Sequence, residues 1–193
     1  MTLSIRDSVR DAYSAAAAQP SDSHPFPVGR SFAESIGYSI ELLKGFPDDC
    51  VERFAGVSNI SVTSDMPVGA TVLDLGCGAG LDSMIASRHI GAQGRVVGVD
   101  FSPVMLDQAR RGKSQVRIEN IIFCQADAEC LPLSHASIDV ALVNGIFNLN
   151  PARECIFHEL ARVVRTGGTV HAAELILSAP LPAAEHNAAN WFA

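Results

Sequence analysis

At 193 residues the chain has room for one domain with an N-terminal appendage, and a composition 48% hydrophobic but only 6% aromatic describes an aliphatic core of the kind found in covered parallel sheets. A net charge of −7, a pI of about 5.3 and the lack of any basic cluster argue against nucleic acid or an anionic membrane as partner. No apolar stretch approaches a membrane span, and the start Met1–Asp7 lacks the apolar centre of a signal peptide, so a cytoplasmic location is expected.

Residues 3–18 read as a helix, with Ile5, Val9, Ala12 and Tyr13 at helical spacing before an alanine run. Pro20, Pro25 and Pro27 make 19–30 a loop. Phe32–Leu43 and Asp48–Phe54 read as short helices or turns, and Gly56–Gly69 as a connector. A regular alternation starts at Ala70: strand 71–75, helix 80–90, strand 95–99, then a helix opened by Ser102-Pro103 and running to Arg111. Strands follow at 121–125 and 138–143. Pro151 opens a helix to Val164, Gly167-Gly168 ends it, and a last strand spans Thr169–Leu177. This pattern predicts an α/β, Rossmann-like, doubly wound and mostly parallel sheet flanked by helices. The expected division is a helical lid segment over 1–69, a core over 70–178 and a tail over 179–193.

The run Val72-Leu73-Asp74-Leu75 feeds Gly76-Cys77-Gly78-Ala79-Gly80, and Asp100 ends the next strand 20 residues past Gly80. Glycines at alternate positions allow a tight turn and let a ligand reach bare backbone. An acid at the tip of the second strand can accept hydrogen bonds from both hydroxyls of a ribose. Dinucleotide sites use G-x-G-x-x-G, and here Leu81 follows the last glycine. Asp74 would also repel a pyrophosphate, whereas a cationic ligand would gain from it. The five cysteines, at 50, 77, 124, 130 and 155, form no C-x-x-C pair, and the six histidines do not cluster, so no metal site is expected. No catalytic residue and no general base is identifiable; His158 reads as a surface histidine.

The loop resembles that of class I S-adenosylmethionine-dependent methyltransferases, whose cofactor carries a sulfonium and an ammonium but no phosphate. Over 70–177 the likeness continues motif by motif: Asp100 as the ribose acid, Ala126-Asp127-Ala128 after the third strand, Asn144-Gly145 after the fourth, and Leu160–Gly168 as the family's closing turn with Thr166 for proline. The resemblance implies S-adenosylmethionine held by Asp74, Gly76, Cys77, Gly78 and Gly80 at the methionine end and by Asp100 at the ribose. Asp127 would meet the adenine amino group, Ala128 the ring through its backbone, and Asn144 the methionine part. Phe101 and Met105 are expected to pack on the adenine.

A narrower resemblance joins Val9–Tyr13, Gly37-Tyr38, Glu41–Leu43, Gly80–Ser83 and Asn148-Leu149 with Pro151 to the arsenite methyltransferase branch. It implies that Tyr13 closes over the cofactor; Tyr38 is a second lid candidate. The branch places a cysteine just after strand four, where this chain reads Asn144-Gly145-Ile146-Phe147-Asn148-Leu149. The expected reaction is therefore in-line methyl transfer to a small organic or other soft nucleophile, with arsenite as the alternative acceptor. The family's strands after the fifth have no counterpart before Ala193. That implies a fragment, a shortened relative or a sheet edge completed by a partner, such as a homodimer. Two other readings are a catalytically silent binding or scaffold protein and a nucleotide-dependent oxidoreductase. Leu81, Asp74 and the lack of a tyrosine–lysine pair speak against the latter.

Overall fold

The computed structural model describes residues 5–176. Helix α1 covers Ile5–Ala18, and four short helices follow before the sheet: α2 (Arg30–Ser35), α3 (Ile40–Leu43), α4 (Asp48–Val51) and α5 (Ile60–Thr63), the last within the expected connector. The alternating part comprises β1 (Thr71–Leu75), α6 (Leu81–Ile90), β2 (Arg95–Asp100), α7 (Pro103–Gln115), β3 (Ile121–Gln125), β4 (Ile138–Asn144), a 3-10 turn (Phe147–Leu149), α8 (Arg153–Val163) and β5 (Val164–Ala173). Ser102 caps α7 as its sequence implies, its hydroxyl accepting from the Met105 amide at 3.3 Å. The tail over 179–193 and the last residue of the expected final strand, Leu177, lie outside the described residues.

The five strands are all parallel, in the order β3-β2-β1-β4-β5. The chain therefore builds outward from β1 to β3, returns to the middle, and builds the other way through β4 and β5. The carboxyl ends of β1 and β4 flank the reversal, where helices depart in opposite directions and leave a crevice. Period-two alternation sorts the apolar side chains. Val72, Val96, Ile121, Val140 and Leu142 join one core with Met84 of α6 and Leu106 and Ala109 of α7. Leu73, Leu75, Val99, Ala141 and Val143 join the other, against Ile156, Leu160 and Val163 of α8 and Leu131 from the β3–β4 connection. The first core also takes in Tyr38, Phe46, Val51, Phe54 and Ile60, so the short N-terminal helices share the core of the sheet.

Several boundaries differ from the sequence expectation; among them, strand β5 ends at Ala173, short of Leu177. Helix α7 runs to Gln115 because Gly112 is a contact glycine, not a stop: a Cβ there would collide with the Cys50 sulfur of α4. Helix α8 starts at Arg153, since the Asn150 Oδ1 accepts from the Ala152 amide at 2.7 Å and organises a turn ahead of it. Strand β5 starts directly at Val164, and Gly167-Gly168 lies inside it as an irregularity. Ile138 pairs with Val164 while Val140 pairs with Thr169, so β5 spends three extra residues there. Asp139 fixes this bulge, taking the Thr71 amide at 2.7 Å and the Arg165 guanidinium. Strand β5 is an edge of the sheet among the described residues, with Val170 exposed. No described helix is long and apolar enough to cross a membrane.

Candidate functional site

The crevice at the carboxyl ends of β1 and β4 opens into a cleft. Of the sequence-predicted site residues, Asp74, Gly76, Cys77, Gly78, Gly80, Asp100, Phe101, Met105, Asp127, Ala128, Asn144 and Tyr13 all line it. The glycines differ in what requires them. An added Cβ at Gly76, where φ is +76°, would collide with Ile146 Cδ1. At Gly80 (φ +86°) it would come within 2.9 Å of Phe123 Cζ and 3.0 Å of Ala109 Cβ. At Gly78 the nearest heavy atom would be the Met105 sulfur at 3.9 Å. Gly76 and Gly80 thus serve packing, while Gly78 presents bare backbone to open space.

Asp100 is 8% exposed, and each of its oxygens accepts one amide: Gly78 N to Oδ2 and Ser102 N to Oδ1, both at 2.8 Å. The Phe101 amide also pulls on this carboxylate. Burial pushes this carboxyl up to about 6 against the opposing pull of those amides. Asp74, 2% exposed, accepts the Ser83 hydroxyl at 2.5 Å. Burial first, and the neighbouring charge of Asp82 second, hold it well above the usual carboxylate range.

Asp82 is a residue that the sequence did not single out as functional. It lies in the first turn of α6, lines the same cleft, and is pushed up by burial. It accepts the Tyr38 hydroxyl at 2.5 Å, the Ser61 hydroxyl, and the Asn144 Nδ2 at 2.9 Å. An acid in a helix's first turn is ordinarily read as a partner of the helix dipole. Its actual partners come from three segments distant in sequence. Tyr38, expected as a lid candidate, is a core residue, 1% exposed and tied to Asp82 and the Ser58 carbonyl.

Asn144 spends its whole amide on neighbours. Oδ1 accepts from Val57 N at 2.8 Å and Ser58 N at 3.1 Å; Nδ2 donates to the Ser58 carbonyl at 2.8 Å and to Asp82. It clamps the N-terminal segment to the end of β4. Asp127 pairs with Arg6 of α1 and stays half exposed. Tyr13 stacks on Phe26 with ring centroids 4.3 Å apart, and burial raises its phenol above the ordinary range, so it stays neutral. Glu174, just past β5, was also missed: its Oε1 accepts from the amides of Ile146 and Phe147 at 2.7 and 2.8 Å, and Oε2 from Asn148 at 3.3 Å. It thereby fixes the turn that seats Ile146 over Gly76. His158 is exposed on α8, outside the cleft. No group of histidine, cysteine and acid side chains suited to a metal ion occurs among the described residues.

Residues 68–192 match a family described as a methyltransferase domain. The arsenite methyltransferase of Halobacterium salinarum is 34% identical over 152 residues, 79% of this chain and 39% of that protein. The demethylmenaquinone methyltransferase of Lactococcus lactis is 34% identical over 102 residues, 53% of this chain and 40% of its own length. Among solved structures, an arsenic(III) S-adenosylmethionine methyltransferase from Chlamydomonas reinhardtii superposes with a TM-score of 0.62 at 27% identity, covering 82% of this chain and 52% of that one. The chain spans about two fifths of the length of these curated relatives.

Proposed function

The chain belongs to the S-adenosylmethionine-dependent methyltransferase family, and from that premise we propose that its cleft binds S-adenosylmethionine and directs methyl transfer to a small soft nucleophile. One observation carries the reading. Three buried carboxylates, Asp74, Asp82 and Asp100, line one cleft, and among the described residues no lysine, arginine or histidine pairs with any of them. Buried acids left without a cation are costly unless a bound ligand supplies one. A ligand bearing an ammonium and a sulfonium fits that need; a pyrophosphate does not.

The residues present fit the cofactor. The Asp100 carboxylate at the tip of β2 suits a vicinal diol, Gly78 offers bare backbone, and Phe101 and Met105 supply an apolar wall for a purine. Asp74 and Asp82 provide the negative field at the methionine end. Bound there, S-adenosylmethionine supplies a methyl group already activated by its sulfonium, for in-line displacement by the acceptor. The protein's share is to position and to exclude water. Tyr13, the clamped segment 56–58 and the turn held by Glu174 bound the remaining space.

Among the described residues the acceptor side lacks a free base. Tyr13 is held neutral, Asp127 is paired with Arg6, and Glu129 accepts from Asn150 at 2.9 Å. An acceptor whose lone pair needs no deprotonation suits this wall. Gly145, where the resemblance expects a cysteine, has φ +78°, and a Cβ there would sit 3.1 Å from Val57 Cγ1. The cleft's own thiols are buried and neutral, Cys50 being pushed up to about 12 by burial and Cys77 also raised. This favours an organic acceptor over arsenite, which is bound by thiolates.

Calorimetric titration with S-adenosylmethionine and S-adenosylhomocysteine, with NAD as control, tests the cofactor. Micromolar binding of both sulfur ligands, abolished in Asp100→Ala, is expected. Binding of NAD instead, or of no ligand to a folded chain, overturns the reading. S-adenosylhomocysteine release in the presence of thiols, thioethers or arsenite then tests transfer and ranks acceptors.

A further inference from the structure

Among the described residues, the cations that line the cleft are Arg6 and Arg53, and both are already paired. Arg6 is committed to Asp127, with Glu129 4.0 Å away. The Arg53 side chain donates from Nε to the Ala17 carbonyl at 2.5 Å, and from Nη1 to the Asp49 carbonyl at 2.9 Å and to Asp49 Oδ1 at 3.1 Å. Asp74, Asp82 and Asp100 therefore have no protein cation to answer them. The negative field reaches the acceptor side as well: burial first, and then the charges of Asp100 and Glu174, oppose ionisation of the Tyr13 phenol. Tyr13 and Phe54 bring two aromatic rings into a lining that Val9, Ala55, Ile146 and Leu149 otherwise make apolar. Acids without partners beside aromatic rings form a setting that attracts a cation.

Methyl transfer changes the charge that these acids face. A donor with one net positive charge becomes neutral, so the cleft loses a cation unless the acceptor gains it. An anionic acceptor, such as a thiolate, ends neutral and leaves buried carboxylates uncompensated, which is costly. A thiol or a phenol must shed a proton, and a tertiary amine arrives protonated near neutral pH. Each of these needs a free base, which the described acceptor side lacks. A thioether meets neither obstacle: its lone pair is free at any working pH, and it becomes a cation on accepting the methyl group. We propose that the acceptor is a neutral, apolar thioether and that the cleft holds the charge of its sulfonium product on its own acids and rings. In the step, a lone pair of the acceptor sulfur forms the new bond to the methyl carbon. The old carbon–sulfur bond breaks with its electron pair left on the departing sulfur, and no proton moves. The inference rests on the cofactor reading above and narrows its acceptor.

The probe is trimethylsulfonium, with tert-butyl alcohol as a neutral counterpart of similar size, titrated calorimetrically into protein saturated with S-adenosylhomocysteine. The sulfonium is expected to bind at least about tenfold more tightly than the alcohol. Asp82→Asn should weaken the sulfonium by about tenfold and leave the alcohol within about twofold. Equal affinity of the wild type for the two probes overturns the inference without any variant, which keeps it testable if Asp82→Asn fails to fold. An equal loss for both probes in Asp82→Asn, or no loss, also overturns it. With S-adenosylmethionine present, dimethyl sulfide should be converted to trimethylsulfonium, read by its methyl resonance, faster than methanethiol is methylated; the reverse order overturns the inference. A wild-type protein that binds neither S-adenosylmethionine nor S-adenosylhomocysteine overturns the cofactor reading itself, whereas binding of both without preference for the sulfonium probe overturns the acceptor alone.

Discussion

Replacing Asn144 by alanine should unfasten the N-terminal segment from the sheet. The side chain makes four hydrogen bonds, to Val57 N, Ser58 N, the Ser58 carbonyl and Asp82. Neutral bonds contribute about 1 kcal/mol each, and the bond to a carboxylate contributes about 2. The segment is half-buried, so water recovers part of this, and a net loss of about 3–5 kcal/mol is expected. For a chain of this length that lowers the melting temperature by roughly 6–20 °C. Calorimetric melting gives the global figure, and amide exchange at Val57 and Ser58 separates local opening from global loss. Asn148→Ala is the control: the Asn148 Oδ1 is buried without a partner, so its removal should change stability by less than about 1 kcal/mol. If Asn144→Ala stays within 1 kcal/mol of wild type and exchange at 57–58 is unchanged, the clamp is not structural.

Further outcomes follow from the same site. Gly76→Ala adds a collision with Ile146 to an unfavourable φ and should cost several-fold more than Gly69→Ala, which has φ +84° but open space around it and should lose about 1 kcal/mol; equal urea midpoint shifts would sink the packing argument. The raised carboxylates set a pH trend. Asp100 sits near 6 when folded against an ordinary 3.8, so its protonated form favours folding, and roughly 3 kcal/mol of ligand-free stability is lost as pH rises from about 4 to 6. Asp74, raised in the same sense, extends the loss to higher pH, and Asp74→Asn should flatten that upper part; an unchanged profile in this variant would contradict the assignment. S-adenosylmethionine affinity should move oppositely, rising as the acids ionise. Glu174→Gln should speed amide exchange at Ile146–Asn148, since an amide can no longer accept from all three; unaltered exchange would remove Glu174 from its positioning role.

The glycine loop, Asp74, Asp100 and the parallel strand–helix alternation around them are legible because their signals are local: a strand, a turn that needs glycine, and an acid at fixed spacing. The segment at β5 misled for an equally local reason. Gly167-Gly168 looks like a terminator, yet it lies in a bulge whose anchor, Asp139, is 28 residues upstream of Gly167. Asp82, Arg53 and Glu174 are intelligible only through their partners. Asp82 binds groups 21, 44 and 62 residues away, and Glu174 reaches back 26 to 28. Nothing in the immediate sequence of a single acid announces such contacts. Asn144, a ligand contact by the motif it resembles, lines the cleft, and its four bonds to the protein add a structural role that the motif does not announce.

The Asn144 clamp also bears on synthesis at the ribosome. Val57 and Ser58 are translated 87 and 86 residues before the side chain that holds them. At 5–20 residues per second the interval is roughly 4–17 s, besides the time Asn144 needs to clear the exit tunnel. Once clear of the tunnel, Phe46, Val51, Phe54 and Ile60 wait for that interval without β4, whose Val140 and Leu142 belong to the same core. The nascent N-terminal segment is therefore an apolar surface on a timer, and holdase demand during translation should fall once β4 is out.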